Sequence, residues 1–253
     1  MTSIKQLEGT VALVTGASSG IGEATALALA DRGARLAIVA RRKDRLEQLA
    51  QRIGDGTLVI EADVTSAEHA QRAVERTASE LGRLDILINN AGVMLLGPVE
   101  DAPLAEWERM VSVNVAGLLY CAHAALPHLL RTAEDGPRQV ADMVNISSVA
   151  GRVARNGSGV YNLTKFGVGA FSESLRQEVA PRHLRVSVVE PGAVDTELSS
   201  HNRPVIQQGI KQRFASVERL RSEDIADSIA YIVTRPRRAA INEILIRPSE
   251  QAD

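Results

Sequence analysis

Short apolar runs alternate along this chain with longer segments of helical periodicity, and this alternation constrains the fold most. Runs that are apolar throughout predict strands buried on both faces, which requires a parallel sheet with helices above and below it. The sequence therefore predicts an α/β fold, a doubly wound parallel sheet flanked by helices. The predicted strands are Val11–Val14, Leu36–Ala40, Leu58–Glu61, Ile86–Asn89, Met143–Ser147, Val186–Glu190 and Glu243–Ile246. The predicted helices are Gly20–Asp31, Asp44–Ile53, Ala67–Leu81, Leu104–Arg131, one around Tyr161, Val205–Phe214 and Ser222–Thr234.

Composition limits the possible functions. The 253 residues are 45% hydrophobic, enough for one sizeable core, and we find no internal repeat or low-complexity linker, so we expect a single domain over 1–253. The 29 basic and 31 acidic residues give no field that attracts nucleic acid or anionic lipid. Residues 1–8 are too polar for a signal peptide, and no apolar run approaches about 18 residues. We therefore expect a cytoplasmic protein without a nucleic-acid or membrane partner.

Metal and thiol chemistry are not predicted. Cys121 is the only cysteine, which excludes a disulfide within the chain and a thiolate zinc site, and its apolar surroundings predict an inert buried thiol. The five histidines form no metal-binding pair with the spacing of H-E-x-x-H. We assign no metal.

The segment Thr15–Gly22 (TGASSGIG) links the first predicted strand to the first helix. Its glycines allow close approach to a pyrophosphate, and the start of the helix offers unpaired N–H groups and a positive dipole end. The spacing differs from G-x-G-x-x-G and from a P-loop. A flexible turn that binds no ligand is the alternative.

Sites in parallel sheets lie beyond the carboxyl ends of the strands. One surface is therefore expected to contain Gly16–Gly22, Arg41–Arg42, Asp63, Asn90–Gly92, Ser147–Ser148 and Pro191–Thr196. The polar segment Thr132–Asp142, which contains a Gly-Pro turn, leads to the start of the fifth strand. We expect it to be a surface insert on the side away from the site.

The second strand ends in Arg41 and Arg42, where an NAD-binding chain would carry an acid for the ribose 2′-hydroxyl. An arginine suits a 2′-phosphate instead. Asp44 is the first acid, and we expect it to cap the next helix. The pattern favours NADP(H), although two arginines on a surface loop are commonly just solvated.

Tyr161 and Lys165 are four residues apart and would share one face of a helix. An ammonium group beside a phenol favours the phenolate, so we expect Lys165 to lower the pKa of Tyr161, making it a proton donor or acceptor for a carbonyl. Ser148 ends the fifth strand and could share that carbonyl. Asn114 lies among apolar residues of a helix, where it could equally satisfy a nearby loop. The alternative for Tyr161 and Lys165 is a chance pair on a solvated helix.

The stretches TGASSGIG, NNAG and YNLTK, with Asn114 and Ser148 between them, occur in the order and spacing of the short-chain dehydrogenase/reductases. The resemblance covers about residues 7–247, leaving 248–253 as a tail, and implies a Rossmann-like fold with a seven-stranded parallel sheet. It implies the catalytic tetrad Asn114, Ser148, Tyr161 and Lys165. The cofactor contacts it implies are Gly16, Ser18, Ser19, Gly20, Ile21, Gly22, Arg41, Arg42, Asp63, Val64, Asn90, Ala91, Gly92, Tyr161, Lys165, Pro191, Gly192, Val194 and Thr196.

The resemblance implies hydride transfer from NADPH to an aldehyde or ketone. Tyr161 would protonate the alkoxide, Ser148 would hold the oxygen, Lys165 would bind the nicotinamide ribose and Asn114 would hold a relay water. Within the family the chain resembles clavulanic acid dehydrogenases, which reduce an aldehyde, and more distantly NADP-dependent 3-hydroxy acid dehydrogenases. The segment Ser199–Phe214 is expected to cover the substrate.

Other interpretations stay open at this stage. The enzyme could work mainly in the oxidising direction, on a secondary alcohol or a 3-hydroxy acid. A protein that binds NADP(H) as a sensor, without catalysis, would be expected to lack part of the tetrad. The long helix and the Tyr161 helix carry more apolar surface than one sheet face needs, which predicts a homotetramer or a dimer. The alternative is that Thr132–Asp142 or Ser199–Phe214 covers that surface within one chain.

Overall fold

A computed structural model describes residues 5–252 of the chain. Seven parallel strands form one sheet in the order β3-β2-β1-β4-β5-β6-β7. The strands are β1 Val11–Thr15, β2 Arg35–Ala40, β3 Leu58–Glu61, β4 Ile86–Asn89, β5 Ala141–Ile146, β6 Leu184–Pro191 and β7 Glu243–Ile246. The α-helices are α1 Gly20–Asp31, α2 Lys43–Ile53, α3 Ala67–Glu80, α4 Leu104–Val111, α5 Leu118–Asp135, α6 Gly159–Val179, α7 Pro204–Arg213 and α8 Ser222–Val233. The predicted α/β class and seven-stranded parallel sheet are confirmed.

Two apolar layers cover the two faces of the sheet. Alternate residues of β1 point to opposite faces, so Leu13 packs with α3 and α5 on one face, while Val14 packs with α1 and α8 on the other. Both residues are fully buried. Because the chain order reverses between β1 and β4, a crevice opens beyond the carboxyl ends of these strands.

The predicted long helix from Leu104 is divided. Residues Ser112–Gly117 between α4 and α5 form a turn of π-helix, in which one more residue fits each turn. Periodicity at 3.6 residues does not reveal such a turn. The helical stretch also continues beyond the predicted end at Arg131, to Asp135.

Two expectations about local structure are wrong. The segment Thr132–Asp142 is not a surface insert: it supplies the end of α5 and the start of β5, and Asp142 is fully buried between Arg185 and Arg138. A carboxylate at that depth is stable because two guanidinium groups pair with it. Asp44 does not cap α2. It lies in the first turn of that helix after Arg42, where its charge favours the positive end of the helix dipole.

Candidate active site

A cavity of about 670 Å³ lies beyond the carboxyl ends of the strands. Of the site residues predicted from the sequence, nearly all line it. Gly22 and Asn114 do not, because they lie behind its wall. The expected single surface is therefore present, and the remaining question is what each part of it can bind.

The glycine-rich turn after β1 is held close to the end of β4. Asn90 donates from Nδ2 to the carbonyl oxygens of Thr15 (3.0 Å) and Gly16 (3.2 Å). Gly16 has a φ of +66°, and a Cβ there would lie 2.8 Å from the Cα of Ala91. No larger residue fits this approach without moving the backbone. Glycine at this position therefore allows the turn to pack directly against the end of β4.

The start of α1 faces the cavity. Within residues 5–252, the side chain of Ser19 makes no capping hydrogen bond to the first turn of the helix. The first N–H groups of α1 are therefore directed at the cavity, with the positive end of the helix dipole behind them. This is the geometry that binds a pyrophosphate, and it fits a dinucleotide.

Arg42 is fixed at the end of β2. Its Nε and Nη2 donate to Ser18 Oγ at 3.1 and 3.0 Å, and Nη2 also donates to Ser19 Oγ at 2.8 Å. Its Nη1 lies 2.8 Å from Oε2 of Glu197. Arg42 is thus oriented by neighbouring groups instead of extending freely into solvent, as the alternative interpretation of the two arginines required.

Arg41 is more exposed and lies near Asp63. Burial acts to raise the pKa of Asp63, but hydrogen bonds from Thr65 and the charge of Arg41 outweigh it, so the pKa is lowered. Thr65 donates to Asp63 Oδ1 from its backbone N (3.0 Å) and its hydroxyl (2.8 Å). Asp63 therefore remains a charged acceptor at this end of the cavity.

Tyr161 and Lys165 lie one turn apart on α6, as predicted. The Lys165 Nζ is 5.9 Å from the centroid of the Tyr161 ring and donates to the carbonyl oxygen of Ile146 at 2.8 Å. Ser148 lines the same cavity beside Tyr161, close enough for its hydroxyl to act on the pKa of the phenol, and its Oγ lies 3.4 Å from Pro191 O and accepts a hydrogen bond from Ala150 N at 3.1 Å. Two hydroxyl groups therefore lie together in the cavity, where a single oxygen atom of a ligand could contact both.

The expected effect of Lys165 on Tyr161 is not found. Burial raises the pKa of Tyr161 to about 12, and the neighbouring Ser148 hydroxyl lowers that pKa by less than burial raises it. Burial also lowers the pKa of Lys165 to about 8. The reason is that both groups lie in the same enclosed region, where the loss of water disfavours each charged form. Tyr161 is therefore a neutral phenol at neutral pH.

Asn114 occupies the π-helical turn and is buried. Its Oδ1 accepts a hydrogen bond from the Val93 N–H, and its Nδ2 donates to Val93 O, both at 2.8 Å. Nδ2 also lies 3.2 Å from Thr164 Oγ1 on α6. The side chain thus satisfies the loop after β4, which is the alternative left open from the sequence. It links that loop to the helix that contains Tyr161 and Lys165.

Asn162 was not predicted and is central to the site. Its Nδ2 donates to the carbonyl oxygens of Ala150 (2.7 Å) and Val153 (3.0 Å), while its Oδ1 accepts from the Arg155 N–H (3.2 Å) and the Ser158 hydroxyl (2.8 Å). Because Asn162 follows Tyr161 directly, it fixes the loop 149–158 relative to the phenol. The only sequence signal was an Asn in the first turn of a helix.

The far half of the cavity is formed by this loop, by α7 and by the end of the preceding 3-10 helix Glu197–His201, whose first residue lies beside Arg42. The predicted cover Ser199–Phe214 does line the cavity. Among the lining residues that the structure describes, the acids are Asp63 and Glu197, both on the side of Arg41 and Arg42. The far half contains Arg155, Arg213 and Arg219 among apolar side chains. Those are Met94, Leu96, Val153, Val205, Ile206, Ile210 and Phe214.

The last residues of the chain also reach the site. Gln251 is buried and lines the cavity, and its Oε1 accepts a hydrogen bond from Ala193 N at 2.9 Å. The predicted tail 248–253 therefore contacts the loop after β6 through Gln251. Sequence motifs did not reveal this contact, because it joins residues 58 positions apart.

Known proteins match the chain over nearly all its length. The short chain dehydrogenase family matches residues 10–206. An uncharacterised oxidoreductase of Staphylococcus saprophyticus is 39% identical over 246 residues, covering 96% of this chain and 97% of the relative. The closed form of a serine dehydrogenase complexed with NADP+ has a TM-score of 0.89 and 30% identity, covering 96% and 97% of the two chains.

A 3-ketoacyl-(acyl-carrier-protein) reductase from Brucella melitensis, complexed with NADH, has a TM-score of 0.85 and 32% identity. It is covered to 98%, and this chain to 96%. The fold and site define a Rossmann-like oxidoreductase that binds a nucleotide. The chain belongs to the short-chain dehydrogenase/reductase family.

Metal-binding groups and the cysteine are the other features of residues 5–252 that bear on chemistry. Among residues 5–252 we find no group of three or more His, Cys, Asp or Glu placed to hold a metal ion. Cys121 is buried as predicted, and burial raises its pKa to about 12, so its thiol is unreactive.

Among residues 5–252, one helical stretch, Leu104–Asp135, is long and apolar enough to cross a membrane. The expectation that no apolar run approaches about 18 residues is therefore wrong for this stretch. Length and composition are weak grounds for a span, since Cys121 and Ala122 of the same helix pack into the core beside the sheet.

Proposed function

We propose that this protein is an NADP(H)-dependent oxidoreductase that transfers a hydride between NADPH and a small aldehyde or ketone, or in reverse from the alcohol. The observation that carries the proposal is that Tyr161, Ser148 and Lys165 line the same cavity as the glycine-rich turn, with the Lys165 Nζ 5.9 Å from the centroid of the Tyr161 ring. A carbonyl oxygen between the Tyr161 and Ser148 hydroxyls would receive a hydrogen bond from one and a proton from the other.

The residues around the turn fit the cofactor, and we assign them as follows. The turn and the start of α1 would bind the pyrophosphate, Asp63 and Val64 the adenine ring, and Tyr161 and Lys165 the nicotinamide ribose. The remaining contacts would come from the ends of β4 and β6. These are Asn90, Ala91, Gly92, Pro191, Gly192, Val194 and Thr196.

Tyr161 is the proposed general acid in reduction and general base in oxidation. A pKa near 12 keeps its phenol protonated at neutral pH, which suits donation to a developing alkoxide. Ser148 would hold the carbonyl oxygen in place. When bound, the nicotinamide supplies the hydride for reduction and accepts it in oxidation. Reduction takes up one proton from solvent, which restores the phenol.

Lys165 and Asn114 would support that proton transfer. With a pKa of about 8, Lys165 can gain or lose a proton near neutral pH, so it can pass one toward Tyr161. Asn114 fixes the loop after β4 beside Lys165: a Cβ on Gly92 would lie 3.5 Å from Asn114 Oδ1 and 3.8 Å from Lys165 Nζ. A relay water at Asn114 remains part of the proposal.

The preference for NADP(H) rests on Arg41 and Arg42. Both line the cavity, and Arg42 is oriented by Ser18 and Ser19 beside the glycine-rich turn. A 2′-phosphate would bring two negative charges to these guanidinium groups, and β2 is followed by Arg41 and Arg42 instead of the acid that binds a 2′-hydroxyl. The solved relatives include both an NADP+ and an NADH complex, so direct comparison of the two cofactors is needed.

Oxidation of a secondary alcohol or a 3-hydroxy acid is the second candidate. Arg155 and Arg213 line the far half of the cavity, where a guanidinium group would attract the carboxylate of such an acid. The Nη2 atom of Arg155 is buried, so this guanidinium is directed into the protein. The likeness to a serine dehydrogenase agrees with a substrate that bears a carboxylate.

Steady-state assays test the proposal directly. The reducing direction would be followed as NADPH loss with butanal, benzaldehyde and butanone. The oxidising direction would compare 3-hydroxybutyrate with 1,3-butanediol, which share a carbon skeleton and differ in the carboxylate. Turnover of any carbonyl or alcohol supports the oxidoreductase. Binding of NADPH without turnover of any of them supports the less favoured alternative, a non-catalytic sensor.

We also propose a homotetramer, or otherwise a dimer. Leu104 and Leu163 are each 64% exposed, and Val111, Tyr120 and Phe166 are also exposed on α4, α5 and α6. Neither Thr132–Asp142 nor Ser199–Phe214 covers these side chains, so a symmetric copy of the chain is the proposed cover. Sedimentation tests this: a single species at 27.1 kDa contradicts the proposal.

The remaining assignments are proposals of the same kind. We place the protein in the cytoplasm, with a small-molecule substrate and no membrane or nucleic-acid partner, and we treat about residues 7–247 as its catalytic domain. Fractionation of cells that express the chain tests the location.

A further inference from the structure

Glu197 is the first residue of the 3-10 helix Glu197–His201, which lines the cavity, and two arginines bind its carboxylate. Its Oε2 lies 2.8 Å from Nη1 of Arg42, and its Oε1 lies 2.6 Å from Nη1 of Arg45. Arg42 and Arg45 are three residues apart and face the same side of the start of α2. Hydrogen bonds from Arg45 and Arg42 lower the pKa of Glu197 to about 2, so it is a permanent anion at neutral pH.

Arg42 donates four hydrogen bonds in this arrangement. Its Nε and Nη2 donate to the hydroxyls of Ser18 and Ser19, and its Nη1 donates to Glu197. A second anion would have to share Nη1 with the carboxylate of Glu197, and the two negative charges repel each other. The same guanidinium is the proposed ligand of a 2′-phosphate, so the two anions compete for it.

The other end of this 3-10 helix is held by hydrogen bonds instead of ion pairs. Asn202, only 5% exposed, accepts a hydrogen bond from Leu96 N at 2.7 Å and donates to Met94 O at 2.9 Å. Gln207 donates to the carbonyl oxygen of Asn202 at 2.7 Å. The 3-10 helix thus has buried hydrogen bonds at Asn202, which follows it, and exposed ion pairs at Glu197, its first residue. The exposed contact is the one that can exchange.

We propose that Glu197 is a built-in competitor for the 2′-phosphate site, which a 2′-phosphate displaces from Arg42 while Arg45 keeps hold of it. This inference rests on the proposed preference for NADP(H). Glu197 would weaken the binding of NADP(H) without affecting NAD(H), and so promote release of the cofactor. Both ion pairs are about two-fifths exposed, and exposed pairs are weak, which permits exchange with a doubly charged phosphate.

Equilibrium binding tests the competition without catalysis. Calorimetry would measure the affinity of 2′,5′-ADP, NADP+ and NAD+ for the wild-type chain and for Glu197→Gln. We expect the variant to bind 2′,5′-ADP and NADP+ roughly threefold or more tightly, with NAD+ changed less than twofold. Glu47→Gln removes the same charge from α2, where Glu47 pairs with Lys43, and controls for net charge.

A double-mutant cycle separates the roles of the two arginines. Arg45→Gln should weaken 2′,5′-ADP binding, since Glu197 then relies on Arg42 alone, and it should have no effect in the Glu197→Gln background. Hydrogen exchange of the cofactor-free protein should be faster over 198–201 in Glu197→Gln than in Glu47→Gln. Faster exchange supports the tether, and unchanged exchange contradicts it.

Two results would overturn the inference. Unchanged or weaker 2′,5′-ADP binding by Glu197→Gln shows that the carboxylate does not compete. An effect of Arg45→Gln that persists without Glu197 shows that Arg45 contacts the phosphate itself. If even the wild-type chain binds NAD+ and not 2′,5′-ADP, then the proposed NADP(H) preference has failed and the inference fails with it.

Discussion

The two halves of the cavity are built from different material. The half near β1 and β4 consists of backbone turns packed against one another, where Gly16, Gly22 and Asn90 lie too close for added side-chain atoms. The far half depends on α7, in which none of the described residues is buried and Val205 is 68% exposed. A Cβ on Gly209 of α7 would contact nothing within 4 Å among the described residues.

This difference suggests how the chemistry and the substrate range are separated. The half near β1 and β4, which we call the rigid half, is made of strand ends and tight turns. Because the core fixes their position, this half holds reacting groups to fractions of an ångström. A wall made of one half-exposed helix can change its side chains at little cost in stability. Tyr161 stands where the halves meet, on a core helix but facing the far half.

The largest expected effect is at that junction. Tyr161→Phe removes one oxygen atom from the proposed proton donor, and we expect kcat to fall by at least about 10²-fold. NADPH binding should stay close to normal, because the ring still fills its place. Stopped-flow or steady-state kinetics with calorimetry measure both. Near wild-type turnover in this variant would contradict the mechanism.

The next prediction concerns the cofactor end of the rigid half. Replacing Arg41 and Arg42 with Gln should raise the KM for NADPH about 10- to 100-fold, since a charge-assisted contact at such a site contributes about 1.5–3 kcal/mol. The KM for NADH should change far less. Lys43→Gln removes a neighbouring exposed charge and serves as the control. Equal effects on both cofactors would mean that the two arginines only face solvent.

A pair of glycine variants compares the two halves directly. A Cβ on Gly22 would collide with the carbonyl oxygen of Gly16 and lie 2.5 Å from Asn90 Nδ2. Gly22→Ala should therefore reduce stability by about 1–3 kcal/mol and weaken NADP+ binding. Gly209→Ala should be neutral or stabilise α7 by up to about 1 kcal/mol. Thermal melts check both, and similar losses in the two variants would end the distinction drawn here.

The sequence predicts the rigid half of the cavity better than the far half. Strands such as β1 and β4 could be predicted because each is a short, largely apolar run whose residues are all buried. The glycine-rich turn and the Tyr161–Lys165 pair are local, so their spacing alone predicts their geometry. Motif residues from β1 to β6 then meet because parallel strands end at one edge.

The features that were missed depend on distant partners. Asp142 looked like part of a polar surface insert, and only the structure shows that it pairs with Arg185 across neighbouring strands. Glu197 is separated by 155 positions from Arg42, and nothing local predicts that contact. The pKa of Tyr161 was predicted in the wrong direction, because the spacing of a lysine does not reveal the burial that acts on both groups.

The smallest expected effect concerns the enclosure of Lys165 in the rigid half. Its pKa is about 8 in the folded chain, against an ordinary value of 10.5, so between these values the unfolded chain binds more protons. Stability then rises with pH through this group. Tyr161 acts in the opposite sense, because its folded pKa of about 12 exceeds the ordinary 10.0, but only above about pH 10.

The window below pH 10 therefore isolates Lys165. The difference in unfolding free energy between wild type and Lys165→Met should shift in favour of wild type by roughly 1 kcal/mol between about pH 7.5 and 9. Urea denaturation at each pH measures it. The lost hydrogen bond to Ile146 adds an offset that does not vary with pH. A difference that stays flat across the window would mean that water reaches Lys165, and that this part of the rigid half is more open than its packing indicates.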